Sequence, residues 1–241
     1  MPKTRYFSNT EWSESVDIAK GVVVGATVRN IFGYQVSGDT TLRACWEFAN
    51  TNYVFPTVAQ VMTVTTANAG DANKLIKIVG LDSNYNEISE VVVLAAAGDV
   101  NTINEYYRIN DIVLISGTTN VGLITVQNTG KTIKYGGIRA ADGRNQASIY
   151  TVPDGFSFYL YRLDAFSSDT TSGKPALFRN FSQNKAGQQY NTARTTFLNN
   201  MSIQRRMPFR YQQCTDIQFQ LATLQGTHEL SVFGEGILVK N

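Results

Sequence analysis

The feature that most constrains the fold is a succession of short β-rich runs, each closed by turn residues, along most of a 241-residue chain. Val61-Met62-Thr63-Val64-Thr65 alternates apolar and polar positions, the period of a half-buried strand. The polar run Asn68-Ala69-Gly70-Asp71-Ala72-Asn73 ends it, and Leu75-Ile76-Lys77-Ile78-Val79 begins the next. Further strands are expected over 87–94, 103–109, 112–116 and 123–126, the last running into the turn Asn128-Thr129-Gly130. A second block has strands over 148–152, 156–163, 176–181, 193–198, 217–224, 229–233 and 236–239. Pro153-Asp154-Gly155 turns the chain within that block. Pro fixes φ, Asp bonds the backbone ahead, and Gly accepts positive φ.

No segment sustains a helical period, although 11–19 has room for a turn or two. Strands and turns at this spacing predict an all-β protein, an antiparallel β-sandwich or jelly-roll-like fold, rather than βαβ units. The stretch 140–146, with Asp142-Gly143, is the natural boundary between two sandwich domains, 39–145 and 146–241. Residues 1–38 read differently. They mix polar and aromatic positions, then run into a Val-rich stretch punctuated by Gly21, Gly25, Gly33 and Gly38. Such a segment does not build a core of its own. It is expected to be an extended N-terminal arm docked on a neighbour or on the body. Tyr6, Phe7, Trp12, Ile31, Phe32 and Tyr34 would be its contact residues.

Composition narrows the function. Only 17% of residues are charged, against roughly 25% in ordinary soluble domains, and Thr, Ser, Asn and Gln take their place. A formal net charge of +2 does not suit generic nucleic-acid binding, which works by phosphate neutralisation. The longest apolar run, 91–97, is strand-length, so no membrane-spanning helix is expected, and no signal peptide is visible at the start. One His and two distant Cys, Cys45 and Cys214, make neither a zinc site nor a disulfide framework. No cofactor or metal is expected.

Local motifs admit bland readings. Asp82, Asn84 and Asn86 have the alternate spacing that opens a calcium loop, but Glu87 stands where an EF-hand needs Gly and Val93 where it needs its bidentate Glu. The preferred reading is a hairpin turn whose Asp and Asn side chains bond their own backbone. Arg205-Arg206-Met207-Pro208-Phe209-Arg210 is the densest basic run. Arg205, Arg206 and Arg210 could form a basic rim for nucleic acid or for an acidic partner surface, but near-neutrality of the chain favours a solvated loop or ion pairing across a subunit contact. Alternation places Tyr159 and Tyr161 on one strand face and Phe158 and Leu160 on the other. With Tyr150 these tyrosines are a candidate aromatic face for stacking on sugars, or core and interface filler. His228 lacks any recognisable nucleophile pattern and reads as a hydrogen-bonded strand residue. Carboxylate pairs such as Asp164 and Asp169 would suit glycoside cleavage only if a cleft joined them. No catalytic residue is assigned.

Several phrases occur together and in order: Trp46-Glu47; Tyr53-Val54-Phe55-Pro56; Gly80-Leu81-Asp82-Ser83-Asn84-Tyr85-Asn86-Glu87-Ile88-Ser89-Glu90; Tyr107-Arg108-Ile109-Asn110; and Tyr150-Thr151-Val152-Pro153-Asp154-Gly155. This set resembles a family of virion structural proteins from tailed bacteriophages, notably those of aquatic bacteria. The resemblance covers residues 18–160, and the segment from Arg162 onward matches no family. It implies a non-enzymatic virion component, a capsid decoration or a head or tail appendage, without an active site. Its partners would be identical copies, with a trimer as the expected oligomer, and major capsid or tail proteins. It would reside in the virion, assembled in the host bacterial cytoplasm. The rival expectation is a receptor- or carbohydrate-binding module of a phage fibre.

Overall fold

The computed structural model describes residues 16–48, 51–96, 98–168 and 175–241. They form sixteen strands: β1 (Ala26–Ser37), β2 (Arg43–Ala44), β3 (Gln60–Thr66), β4 (Leu75–Leu81), β5 (Glu87–Val93), β6 (Asp99–Tyr106), β7 (Arg108–Leu114), β8 (Ile124–Asn128), β9 (Lys134–Ile138), β10 (Ile149–Thr151), β11 (Phe156–Ser167), β12 (Ala176–Gln183), β13 (Gln189–Phe197), β14 (Asn200–Tyr211), β15 (Asp216–Thr223) and β16 (His228–Lys240). Among the described residues the only helical pieces are a turn over 16–19 and a 3-10 turn, Ala69–Asp71. The fold is all-β, as the sequence predicts, and every strand pair is antiparallel.

Four sheets pack as two sandwiches. In one, the sheet β6-β3-β8-β9 faces β5-β4-β7 across an aliphatic core that includes Met62, Val64, Ile76, Ile78, Ile112, Ile124 and Val126. In the other, β1-β16-β11-β14 faces β10-β15-β12-β13, with β2 also on β15. That core is aromatic: Phe158, Phe178, Phe197, Phe219, Tyr150 and Tyr211 lie in it among Leu and Val. Within a sheet the chain makes hairpins only at β4–β5, β8–β9 and β12–β13. Every other step crosses to a facing sheet or to the other sandwich.

The β4–β5 turn behaves as its residues require. Asp82 Oδ1 accepts the Asn84 and Asn86 amides at 2.8 and 2.9 Å, and Tyr85 takes a positive φ of 65°. These bonds spend the carboxylate on the turn itself, the preferred reading of that motif. In β16 the expected break at Gly234–Glu235 does not occur. The strand runs unbroken through thirteen residues, alternately buried and open. Gly234 and Gly236 are inner-face positions at which a Cβ would collide with the Phe219 and Phe158 rings. Glycine here makes room for core aromatics instead of ending the strand.

The N-terminal stretch is the second departure. Residues 26–37, read above as arm, pair with β16 over their whole length, from Ala26 opposite Val239 to Ser37 opposite His228. Ile31 lies in the aromatic core. An isolated Val- and Gly-rich stretch gains a buried face once a distant strand supplies the partner. Arg43 and Ala44 likewise pair with β15, so this sandwich draws on both ends of the sequence.

Candidate functional site

Three surfaces have the composition of contact sites. The first is the outer face of the sheet β1-β16-β11-β14. Alternation turns Phe32, Val36, Phe233, Ile237, Tyr159 and Phe166 away from the core that holds Ile31, Leu230, Val232, Phe158 and Ala165. Register sets Phe32 beside Phe233, and Ile237 beside both Val28 and Tyr159. Phe32, Val36 and Phe166 are 41%, 45% and 48% exposed, so the apolar band faces outward.

The second is the junction of the two sandwiches. Arg108 on β7 grips Asp216 on β15 with two parallel bonds of 2.8 and 2.9 Å, and both side chains are buried. Arg108 Nη1 also donates to the carbonyls of Pro56 and Tyr107, and its guanidinium lies 4.0 Å from the Tyr107 ring centroid and 4.7 Å from that of Phe55. Thr151 Oγ1 donates to Asp216 Oδ1 at 2.6 Å. Burial opposes the Arg108 charge, but Asp216 more than offsets it and holds the pKa above its ordinary value. Asn110 and Thr151 exchange two bonds of 2.9 Å beside this pair. Trp46, Phe48 and Tyr53, packed edge to face, form an aromatic wedge at the same junction. Next to the wedge, Glu47 is buried and accepts the Gln146 amide. Burial pushes its carboxyl up to about 7, against the lowering effect of that bond.

The third is a cleft of about 690 Å³ that opens beside Arg108 and Asp216. Its floor is the outer face of β15 and β12, where register places Gln218 beside Phe181 and Gln220 beside Arg179. Phe55 and Tyr107 also line it. The volume falls within the ~300–1,000 Å³ of small-molecule sites.

The structure scatters the residues singled out from sequence. Tyr6, Phe7 and Trp12 lie outside the described residues, as does Asp169. Ile31 is core, Phe32 is on the outer face, and Tyr34 lies 5.0 Å from the Arg139 guanidinium. Tyr159 and Tyr161 are half-buried on β11, but Tyr150 is inside the sandwich, 5.6 Å from Phe158. The three tyrosines do not make one aromatic face, because Tyr150 sits on the opposing sheet and points inward. The basic run is a strand, β14, and not a loop. Pro208, which lacks an N–H, is tolerated because β14 is a sheet edge. Arg205 stacks toward Phe209, Arg206 is exposed, and Arg210 donates to Ser157 at 3.0 and 3.1 Å. His228 is buried, with Nε2 2.6 Å from the Gln225 carbonyl oxygen. Asp164 takes a bond from Arg162 Nε at 2.7 Å. Among the described residues no group of three His, Cys, Asp or Glu side chains is placed to hold a metal, and no helix is long and apolar enough to cross a membrane.

Sequence reading missed Arg108, Asp216 and the amides of β15. The alternation Asp216-Ile217-Gln218-Phe219-Gln220-Leu221 puts the three polar side chains on one face, which is a legible signal. That all eight residues of β15 are buried is not legible, since it depends on what the fold lays over that face, Arg108 on Asp216 among them.

No family model matches the chain, and no curated protein does. Among solved structures there is a likeness to the VP2 protein of infectious bursal disease virus, a D431N mutant from derived T=1 particles. It covers 89% of this chain and 72% of that one, at 8% identity and a TM-score of 0.15. A score this low carries no argument about this chain.

Proposed function

We propose that this chain is a non-enzymatic structural component of a bacteriophage virion, a capsid decoration or a head or tail appendage. It acts by packing against identical copies, in a trimer, and against neighbouring capsid or tail proteins. The observation that carries this reading is the outward apolar band of the β1-β16-β11-β14 sheet, centred on Phe32, Phe233 and Phe166. Interfaces are enriched in aromatic side chains, and this face carries Phe32, Phe233, Tyr159 and Phe166, interspersed with Glu229, Glu235 and the Arg162–Asp164 pair. The low charge of the whole chain and the sequence resemblance over residues 18–160 point the same way. Strand β13 adds to it. It pairs only with β12 among the described strands, so its other edge is free to receive a strand.

Deleting the first 36 residues would not test this reading, because it removes β1 from the sandwich. The direct test is Phe32→Glu combined with Phe166→Glu, which charges the band without touching the core. The wild-type chain is expected to sediment as an oligomer and to enter particles, and the double variant to remain monomeric with its melting temperature kept. Normal oligomerisation and particle occupancy by the charged variant would sink the proposal.

A further inference from the structure

The cleft beside the junction is chemically specific, and the assembly reading does not use it. Its floor carries a chain of bonds in one direction: Arg179 Nε donates to Gln220 Oε1 at 2.7 Å, and Gln220 Nε2 donates to Gln218 Oε1 at 2.7 Å. Gln218 and Gln220 are each only 7% exposed, so this chain is fixed in place. It fixes the plane of the Arg179 guanidinium and occupies its Nε edge. Among the described residues the two terminal nitrogens have no hydrogen-bond partner, and no carboxylate pairs with Arg179. They form a free end-on fork, the shape that takes a carboxylate with two bonds.

The surroundings select further. Arg194 stands opposite Arg179 in the β12–β13 register and also lacks a carboxylate partner among the described residues. Burial and, second, that facing guanidinium pull the Arg179 pKa below its ordinary value, so an anion here would relieve both. The other two cations of the lining are already neutralised, Arg108 by Asp216 and Arg43 by Asp39. The unpaired charge of the lining is therefore that of Arg179 alone. Phe55, Phe181 and Tyr107 line the cleft, each with a guanidinium already over one face, Arg108 on Phe55 and Tyr107 and Arg179 on Phe181, so only an opposite face or an edge is left to a ligand; the carboxamides of Gln183 and Asn52 offer donors and acceptors together. Rings for C–H faces and amides for hydroxyls are what a sugar requires. A purely apolar ligand would strand these polar groups.

We infer that this cleft binds a carboxylated saccharide, with Arg179 holding the carboxylate, Gln218 and Gln220 keeping the guanidinium in register, and the aromatic wall stacking on the sugar rings. The inference is independent of the assembly role, and a monomeric chain would bind equally well.

The test is calorimetric titration of the full chain with trigalacturonate, with the neutral galactotriose and with sodium acetate. Trigalacturonate is expected to bind about tenfold or more tightly than either control, the scale of one charge-assisted bidentate contact. Arg179→Gln is expected to abolish that preference, leaving trigalacturonate and galactotriose to bind alike, with a cooperative melting transition showing that the chain still folds. Arg179→Lys keeps the charge and loses the fork, so it should lose most of the preference too. No binding of trigalacturonate, equal binding of the neutral sugar, equal binding of acetate (a bare anion site), or a preference that survives both variants would each overturn the inference. Sedimentation of the same samples reports on assembly separately.

Discussion

The two sandwiches solve the same packing problem with different means. The one built from β3 to β9 is contiguous in sequence, Gln60 to Ile138, and its core is largely Ile and Val. Branched side chains suit a pleated surface and keep few rotamers, so such strands specify themselves locally. The other takes β1 and β2 from one end of the sequence and β10 to β16 from the other, and its core is aromatic. Large rings fill it only because Gly234 and Gly236 yield their side-chain space. Its longest ladder joins residues about two hundred positions apart, Ala26 with Val239. Loop-closure entropy has to be met before that ladder gains anything, so the second sandwich is expected to form later.

The comparison breaks first at β1. Removing residues 1–37 takes away a twelve-residue ladder and Ile31 from the core. Hydrogen exchange read by mass spectrometry should then show β11 to β16 unprotected while β3 to β9 keep their protection. Uniform loss along the whole chain would mean that the sandwiches are one cooperative unit.

A smaller effect is expected where the sandwiches meet. Arg108→Ala strands Asp216 in a buried site, a change that typically costs about 3–5 kcal/mol. Chemical denaturation should show this loss and split into two transitions, one per sandwich. A loss below ~1 kcal/mol would show that the junction does not couple them.

The smallest expected effect is pH-dependent and comes from Glu47. Its carboxyl is held up to about 7 in the folded chain, chiefly by burial, against an ordinary value of 4.5. The folded state therefore keeps a proton that the unfolded state has released. Stability falls as pH rises from 4.5 through 7, by about 3 kcal/mol at most. Glu47→Gln should flatten that slope and raise the melting temperature at pH 8 while changing little at pH 4. An unchanged slope would remove Glu47 as its source.

Much of the architecture was legible because it is local. The hairpin turn at Asp82–Asn86 closes with its own side chains, and in β4 burial alternates along the strand from Leu75 to Val79. What misled was also local. Gly234 looks like a strand breaker until Phe219 is seen lying on it, and Tyr150 looks like a partner of Tyr159 until the opposing sheet buries it. The basic run is an edge strand, where Pro208 is tolerated because no neighbouring strand needs its missing N–H. At the cleft, Gln218 and Gln220 share a face by alternation alone, but Arg179 reaches them only through the β12–β15 register.

The sequence by itself determined that this is an all-β chain of short strands, because period-2 alternation and turn chemistry are properties of neighbouring residues. It determined the low charge of the chain through composition alone. Tertiary structure alone decided that residues 26–37 are core strand, that Arg108 meets Asp216 across two sandwiches, and that the Arg179 guanidinium keeps a free end beside a polar floor. Those facts depend on pairings between residues far apart in the chain, and register, sheet order and burial exist only once the chain has closed.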